Sequence, residues 1–391
     1  MNLSDQIVHF VNLHEGSDVH SLALQAKQYP DIDMQTAIRQ ISGRKIAKEK
    51  IPSWYAKDRI IYPKHLSMEQ CSSELTARFK ASLCNGKTMV DLTGGFGVDC
   101  FFLSKSFETA VYVEQQDELA DIAAYNFNVL GQNKLTVVNA DAIEYLTSMS
   151  PTDLIYIDPA RRDNTGKKTV LIEDCTPNIL DIETLLEEKS LQTMIKLSPM
   201  LDISLALKSL KGVSDVYIIS IGNECKELLF IKKGESESTT YHCVNIHHEK
   251  VDQFTFDKET EENISLTHTP QVDKYLYEPN AAILKAGAYK SIAEAFSLNK
   301  LHPSSHLYTS DILHDDFQGR KFIVEGICSL NKKELKTHLK NVKQANITTR
   351  NFPLSVQEIR NKTGLKDGGD IYLFATTLAD EKRVLIICRK A

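Results

Sequence analysis

Apolar residues recur at helical spacing through the first 85 residues, as in LSDQIVHFVNLH and TAIRQISGRKIAKEK. Ser67-Met68-Glu69-Gln70 has the form of a capping box and predicts a helix opening there and running through CSSELTARFKASL. Trp54, the only tryptophan, lies in IPSWYAKDRIIYP between Pro52 and Pro63 and reads as a packing anchor between helices. From Lys87 to about Lys233 the period changes. Short β-prone runs (TMVDLT, ETAVYVE, LTVVNA, DLIYID, TMIKLS, VYIISI) alternate with helical stretches (VDCFFLSKS, DELADIAAYNFNVLG, AIEYLTSM, the run after Thr176, DISLALKSL). This alternation predicts a doubly wound, mostly parallel α/β sheet. VYIISI and ELLFIKK are joined only by the short turn GNECK. A parallel crossover needs a dozen or more residues, so this pair is expected to be an antiparallel hairpin.

Residues 234–270, beginning GESESTT, are polar and read as a connector with one strand, YHCVNIHH. His247 and His248 would face opposite sides of that strand, which argues against a shared metal. LYEP and NAAILKAGAYKSIAEAF then predict a strand end and one helix. KFIVEGICS, NKKELKTHLKNV, NITTRNF, SVQEIRNKT, DIYLFATTL and KRVLIICRK follow in the order β-α-β-α-β-β. That order is similar to a small ferredoxin-like α+β sandwich, with helices expected on one face of its sheet. The expected divisions are a helical region over 1–85, an α/β domain over 86–235, a connector with a small ferredoxin-like part over 236–316, and an α+β domain over 317–391.

The chain of 391 residues carries a net charge of −6, too mild to name a partner. The charge is unevenly spread. From Phe317 to Ala391 there are 15 Lys and Arg against 7 Asp and Glu, a net of +8 that leaves −14 on the rest. A basic end on an acidic protein points to an anionic polymer, a solvated helix face being the alternative. The eight cysteines include no CxxC pair, so no zinc or iron–sulfur site is expected. MNLSDQIVHF lacks a basic region followed by a long apolar core, so no signal peptide is expected, and no run approaches 18 apolar residues. A cytoplasmic protein with no membrane partner is expected; the oligomeric state is not legible.

The chemistry concentrates at strand ends. The first strand runs into DLTGGFGVD (Asp91 to Asp99), whose glycines allow a tight turn and close approach of backbone to a ligand. It is neither the dinucleotide pattern GxGxxG nor the phosphate loop. Glu114 ends the second strand, where a carboxylate can accept from both hydroxyls of a ribose. Asp141 ends the third and Asp158 the fourth. Each acid alone has an ordinary reading as a strand-end or helix-capping residue. Four in succession at one sheet edge, after a Gly-rich turn, are more specific. Asp158 opens DPARR, where Pro159 stops the strand because it has no N–H to give. KLSPMLD (Lys196 to Asp202) reaches the same edge, so Lys196 and Ser198 could border a substrate pocket, or form a plain strand-to-helix turn.

Together, Asp91–Gly97, Glu114, Asp141 and Asp158–Pro159 resemble the successive motifs of class I S-adenosylmethionine-dependent methyltransferases, over roughly residues 67–233. The resemblance implies a Rossmann-like sheet whose last strand runs antiparallel. It implies S-adenosyl-L-methionine as cofactor, with Asp91, Thr93, Gly95 and Gly97 at its methionine part, Glu114 at the ribose, and Asp141 and Ala142 at the adenine. Thr93 stands where the family often has its first glycine, a variant similar to nucleic-acid methyltransferases. Asp158-Pro159-Ala160-Arg161 resembles the DPP[YFR] motif of methyltransferases acting on bases, which implies catalytic roles for Asp158, Pro159 and Arg161. Ala160 and Arg161 depart from it; Arg161 and Arg162 could instead clamp phosphate.

SSELTARFK, DPARR, KLSPMLD, ITTRNFPLS and KDGGDIYLFATT also resemble bacterial methyltransferases with a C-terminal THUMP-like domain. That resemblance covers nearly the whole chain. It implies RNA, tRNA or rRNA, as partner, with phosphate contacts from Lys332, Lys333, Lys336, Lys340, Lys343 and Arg350. A methyltransferase for a small molecule or protein, or a non-catalytic RNA-binding protein, are the alternatives.

Overall fold

The structure, a computed structural model, describes residues 3–161, 171–234, 236–248 and 250–391. They form two compact units. One runs up to Val216 and takes in Glu227–Ser238; the other combines Tyr217–Lys226 with Thr239–Ala391.

The first unit begins with helices, among them Asp5–Leu13, Met34–Lys50, His65–Gln70 and Glu74–Ala81. Phe10, Val11, Leu22, Ala37 and Ile41 form a core shared by Asp5–Leu13, Val19–Leu24 and Met34–Lys50. The expected capping box is displaced. Ser67 lies inside the helix His65–Gln70, which ends at Cys71 in extended backbone. The next helix starts at Glu74, where the Ser73 hydroxyl accepts from the N–H of Thr76. The chain breaks here because the Ser72 side chain turns inward to a buried carboxylate, Asp99. Trp54 is fully buried, edge-on to Phe96 and Phe101 at centroid distances of 5.0 and 5.5 Å. It therefore anchors the helical region to the Gly-rich loop itself, since Phe96 belongs to that loop.

The sheet of this unit contains β1 (Gly86–Asp91), β2 (Phe107–Glu114), β3 (Leu135–Asn139), β4 (Thr152–Ile157) and β5 (Ser190–Leu197), with the parts of β6 (Val213–Ile221) and β7 (Glu224–Lys233) that fall in it. Their order is β3-β2-β1-β4-β5-β7-β6. The first five are parallel, and β7 lies antiparallel to β5 as expected. Leu154 to Ile157 of β4 are each at most 1% exposed, so the strand is covered on both faces and reads as a continuous apolar run. The β6–β7 turn is only Gly222-Asn223, with φ of 56° and 69°. Two left-handed residues match the twist of the hairpin they join. Strand order reverses between β1 and β4, and a sheet of this kind takes ligands at that point.

In the second unit the polar connector holds two antiparallel strands rather than one, β8 (Thr240–His247) and β9 (Lys250–Asp257). Its large sheet contains β10 (Tyr275–Pro279), β11 (Asn299–Lys300), β12 (Tyr308–Ser310), β13 (Gly319–Cys328), β14 (Asn346–Arg350), β15 (Tyr372–Thr377) and β16 (Arg383–Lys390), in the order β11-β12-β10-β13-β16-β15-β14. Only β14 and β15 pair in parallel. The single helix expected over 280–296 is two, Ala281–Ala286 and Ser291–Ala295, because Gly287 adopts φ 75° between them. Both faces of the central strands are covered. Leu373, Ala375, Leu385 and Ile387 pack on one core with Ile359 of a flanking helix. Phe374, Ile386, Cys388 and Phe322 pack on another with Leu301 and Leu307. Sequence spacing marked only the helical cover, because the second is supplied by irregular chain around Leu301–Leu307.

Candidate active site

The Gly-rich loop is shaped by contacts that require glycine. A Cβ on Gly94 would fall 2.1 Å from the Tyr112 ring. Gly95 and Gly97 have φ of 55° and 88°, and a Cβ on Gly97 would meet Phe127 at 2.7 Å. The Tyr112 hydroxyl donates to the Gly95 carbonyl, and the Gly94 N–H donates to the Val113 carbonyl at 2.9 Å. The loop is thus stitched to β2 and held open above the sheet edge.

Asp91, at the end of β1, is 1% exposed and accepts from the Thr93 N–H at 3.0 Å. Burial pushes its carboxyl well above the ordinary range. Asp91 therefore acts on the loop from beneath. Glu114, the last residue of β2, accepts from the Gly95 N–H through one oxygen at 2.9 Å and from the Gln116 N–H through the other at 2.8 Å. Each oxygen keeps a further acceptor site. Asp141 stands two residues beyond β3, not at its end. It caps the helix Ala142–Ser148, with Oδ1 accepting from Ile143 and Glu144 N–H groups. The helix starts there because Ala142 follows an acid able to cap it.

Asp158 follows β4 directly. Its N–H donates to the Thr93 hydroxyl at 2.6 Å, which ties the Asp-Pro turn to the Gly-rich loop and gives Thr93 a definite task. Its carboxylate is ion-paired with Lys196, near the end of β5. Pro159 is buried beside it. Lys196 is the visible end of a buried polar network that the sequence did not reveal. Its ammonium also lies 3.2 Å from the Ser72 hydroxyl and 3.5 Å from Asp99. Lys80, with no exposed surface, pairs with Asp99 at 2.9 Å and Glu227 at 2.8 Å. Asp99 further accepts from the hydroxyls of Ser72 and Tyr156, at 2.7 and 2.6 Å. Burial alone would lower the Lys196 ammonium, yet Asp158, Asp99 and Glu227 outweigh it and hold it above its ordinary value. Burial alone would raise Asp99; Lys80 and Lys196, with the two hydroxyls, hold it below the usual carboxylate range. Five of these residues come from separate elements, so no local spacing links them. The one signal was the presence of polar types (Ser72, Lys80, Asp99) inside segments read as helices.

The remaining expected residues are distributed as follows. Ser198 is partly exposed just beyond β5, with its hydroxyl accepting from the Met200 N–H. The backbone of Ala160–Arg161 pairs antiparallel with Cys175–Thr176, while Arg162 lies outside the described residues. In the second unit, Lys332 and Lys336 are exposed on the helix Lys332–His338. Arg350 is not a freely presented side chain: it pairs with buried Glu278 at 2.8 Å. Among the described residues, no group of His, Cys, Asp and Glu could hold a metal, and no helix is long and apolar enough to cross a membrane.

A ferredoxin-like domain family matches residues 275–317, and a THUMP domain-like family matches residues 319–390. None of the curated proteins matches the chain in sequence. Among solved structures, a protein from Porphyromonas gingivalis W83 described as a candidate methyltransferase is 35% identical, with 100% of both chains covered and a TM-score of 0.90. A candidate methyltransferase of Escherichia coli is 18% identical over 41% of this chain and 85% of that one, with a TM-score of 0.31. An rRNA methylase of Streptococcus thermophilus is 14% identical over 41% of this chain and 95% of that one, with a TM-score of 0.30. The latter two are likenesses over less than half of this chain. With full-length correspondence to the Porphyromonas protein, a sheet in the expected order and both C-terminal modules matched, the chain belongs to the class I methyltransferase family that bears a C-terminal THUMP-like domain.

Proposed function

We propose that the protein is an S-adenosylmethionine-dependent methyltransferase acting on RNA, with a base nitrogen as acceptor. The observation that carries the cofactor assignment is Glu114. Its carboxylate is fixed by the N–H groups of Gly95 and Gln116, and each oxygen retains an acceptor site for a vicinal diol. Gly94, with no room for a Cβ against the Tyr112 ring, lets the loop lie directly on β2 beside that carboxylate. These residues fit the cofactor. When bound, it supplies an electrophilic methyl group on a sulfonium.

The chain's own residues would do the rest. Glu114 holds the ribose and Asp141 accepts from the adenine amine. Asp158 and the Pro159 carbonyl accept N–H bonds from the target amine, which aims its lone pair and offsets the positive charge that grows on nitrogen. Lys196 and the Thr93 hydroxyl keep Asp158 in one place for that task. The RNA assignment rests on the THUMP-like module and its net charge of +8 over 317–391. Calorimetric titration of S-adenosylmethionine tests the reading. Saturable binding is expected, weakened at least about tenfold in Glu114→Ala, the scale of one to two charge-assisted hydrogen bonds. No binding by the wild type overturns it.

A further inference from the structure

We infer that Glu278, Arg320 and Arg350 form a phosphate clamp for the RNA backbone; this rests on the RNA reading above and gives it a second, local site. Glu278, in β10, has only 3% of its side chain exposed. One of its oxygens accepts from Arg320 Nε at 2.7 Å and also from Arg320 Nη2. The other accepts from Arg350 Nε at 3.0 Å and lies 2.8 Å from Arg350 Nη2. Each guanidinium thus spends the same edge on the carboxylate. Their Nη1 groups have no partner among the described residues, and the two arginine side chains are 36% and 37% exposed.

The charge balance explains why this is more than a structural ion pair. One carboxylate neutralises one arginine, so the trio keeps a surplus of +1. A second guanidinium on an already paired carboxylate adds little to stability, because the first has met most of the cost of burying it. It does leave the Nη1 ends of two planar, partly exposed guanidiniums side by side on one carboxylate, donors of the kind that bind phosphate oxygens. His306 does not supply the surplus: it is held down to about 4, by burial first and then by Lys300 and Arg350, and is neutral at pH 7.

The forks are also pre-aimed. Arg320 lies against the faces of Phe322 and Phe374, 5.6 and 5.8 Å from their centroids. Arg350 ends β14, and the next residue, Asn351, is locked at φ 51°. The Asn351 carbonyl accepts from the Thr377 hydroxyl at 2.6 Å, and its amide lies 3.0 Å from His302. Side chains held this way lose little entropy on binding an anion. The exposed lysines of the helix Lys332–His338 lack any such support.

The test is RNA binding by the full chain, titrated with salt, using total tRNA as probe. Arg350→Gln and Arg320→Gln are each expected to weaken binding about five- to tenfold at moderate salt and to lower the salt slope by about one. Arg350→Lys should recover the slope but only part of the affinity, since a lysine lacks the fork. Arg383→Gln, an exposed arginine of the same unit outside the trio, should change affinity by less than about twofold. Wild-type binding that persists unchanged in both glutamine variants, with only their melting temperatures lowered, overturns the clamp and leaves the RNA reading standing. Equal loss in Arg383→Gln overturns it too, by reducing the effect to overall charge. Absence of wild-type binding overturns both.

Discussion

The buried ammonium of Lys196 bonds the carboxylate of Asp158, so the acid of the Asp-Pro turn is fixed from behind by a cation that solvent scarcely reaches. Lys196 is in turn held by Ser72 and Asp99, and Asp99 by Lys80. The site therefore stands on a polar foundation sealed within the first unit.

Lys196→Met should remove that foundation. Leaving Asp158 and Asp99 short of a cation is expected to lower stability by about 3–5 kcal/mol, the cost of breaking a buried pair from one side, and to abolish methyl transfer. The pH dependence identifies the cause. The Lys196 ammonium is held above its ordinary value, so its contribution is complete below about pH 10 and is lost as pH rises through the raised value. Asp99 is held low, so its contribution is complete above about pH 4 and is lost as pH falls. Thermal melting against pH should show both limbs in the wild type. The alkaline limb should flatten in Lys196→Met.

Asp91 has the opposite sign. Burial raises its carboxyl in the folded state, so the protein gives up stability as pH rises above about 4. Asp91→Asn keeps an acceptor for the Thr93 N–H and removes the buried charge. Melting of the ligand-free variant at neutral pH should occur above that of the wild type, while calorimetry should show weaker binding of S-adenosylmethionine. A lower melting temperature would mean that Asp91 supports the fold as a charge.

Gly94→Ala tests the close approach of loop and strand. The new methyl meets the Tyr112 ring at 2.1 to 2.5 Å, so the loop must shift. A loss of about 1–3 kcal/mol is expected from overpacking, together with loss of cofactor binding. Gly131→Ala, where nothing lies within 4 Å but φ is 71°, should show the milder cost of backbone strain alone. Chemical denaturation separates the two.

What the sequence disclosed follows from how local its signals are. The alternation of apolar runs was enough for the sheet, and the short β6–β7 turn for its antiparallel end. Asp91, Glu114 and Asp158 were legible as acids at strand ends because a strand end is a local event. The capping motif misled at Ser67 because Ser72, drawn into the buried network, breaks the chain five residues later. One helix over 280–296 became two because Gly287 costs little in left-handed backbone. Lys80, Glu227 and Tyr156 were illegible as site residues: their meaning lies in pairings across up to 155 positions, between Ser72 and Glu227. Arg350 looked like an exposed cation because nothing in its own strand shows that Glu278 holds it.

The most direct measurement is nucleoside mass spectrometry of tRNA and rRNA from wild-type cells, cells lacking the protein, and cells carrying Asp158→Ala. One N-methylated nucleoside is expected to disappear in both altered strains and to return with the wild-type protein. An unchanged profile in cells lacking the protein would contradict methyl transfer to RNA.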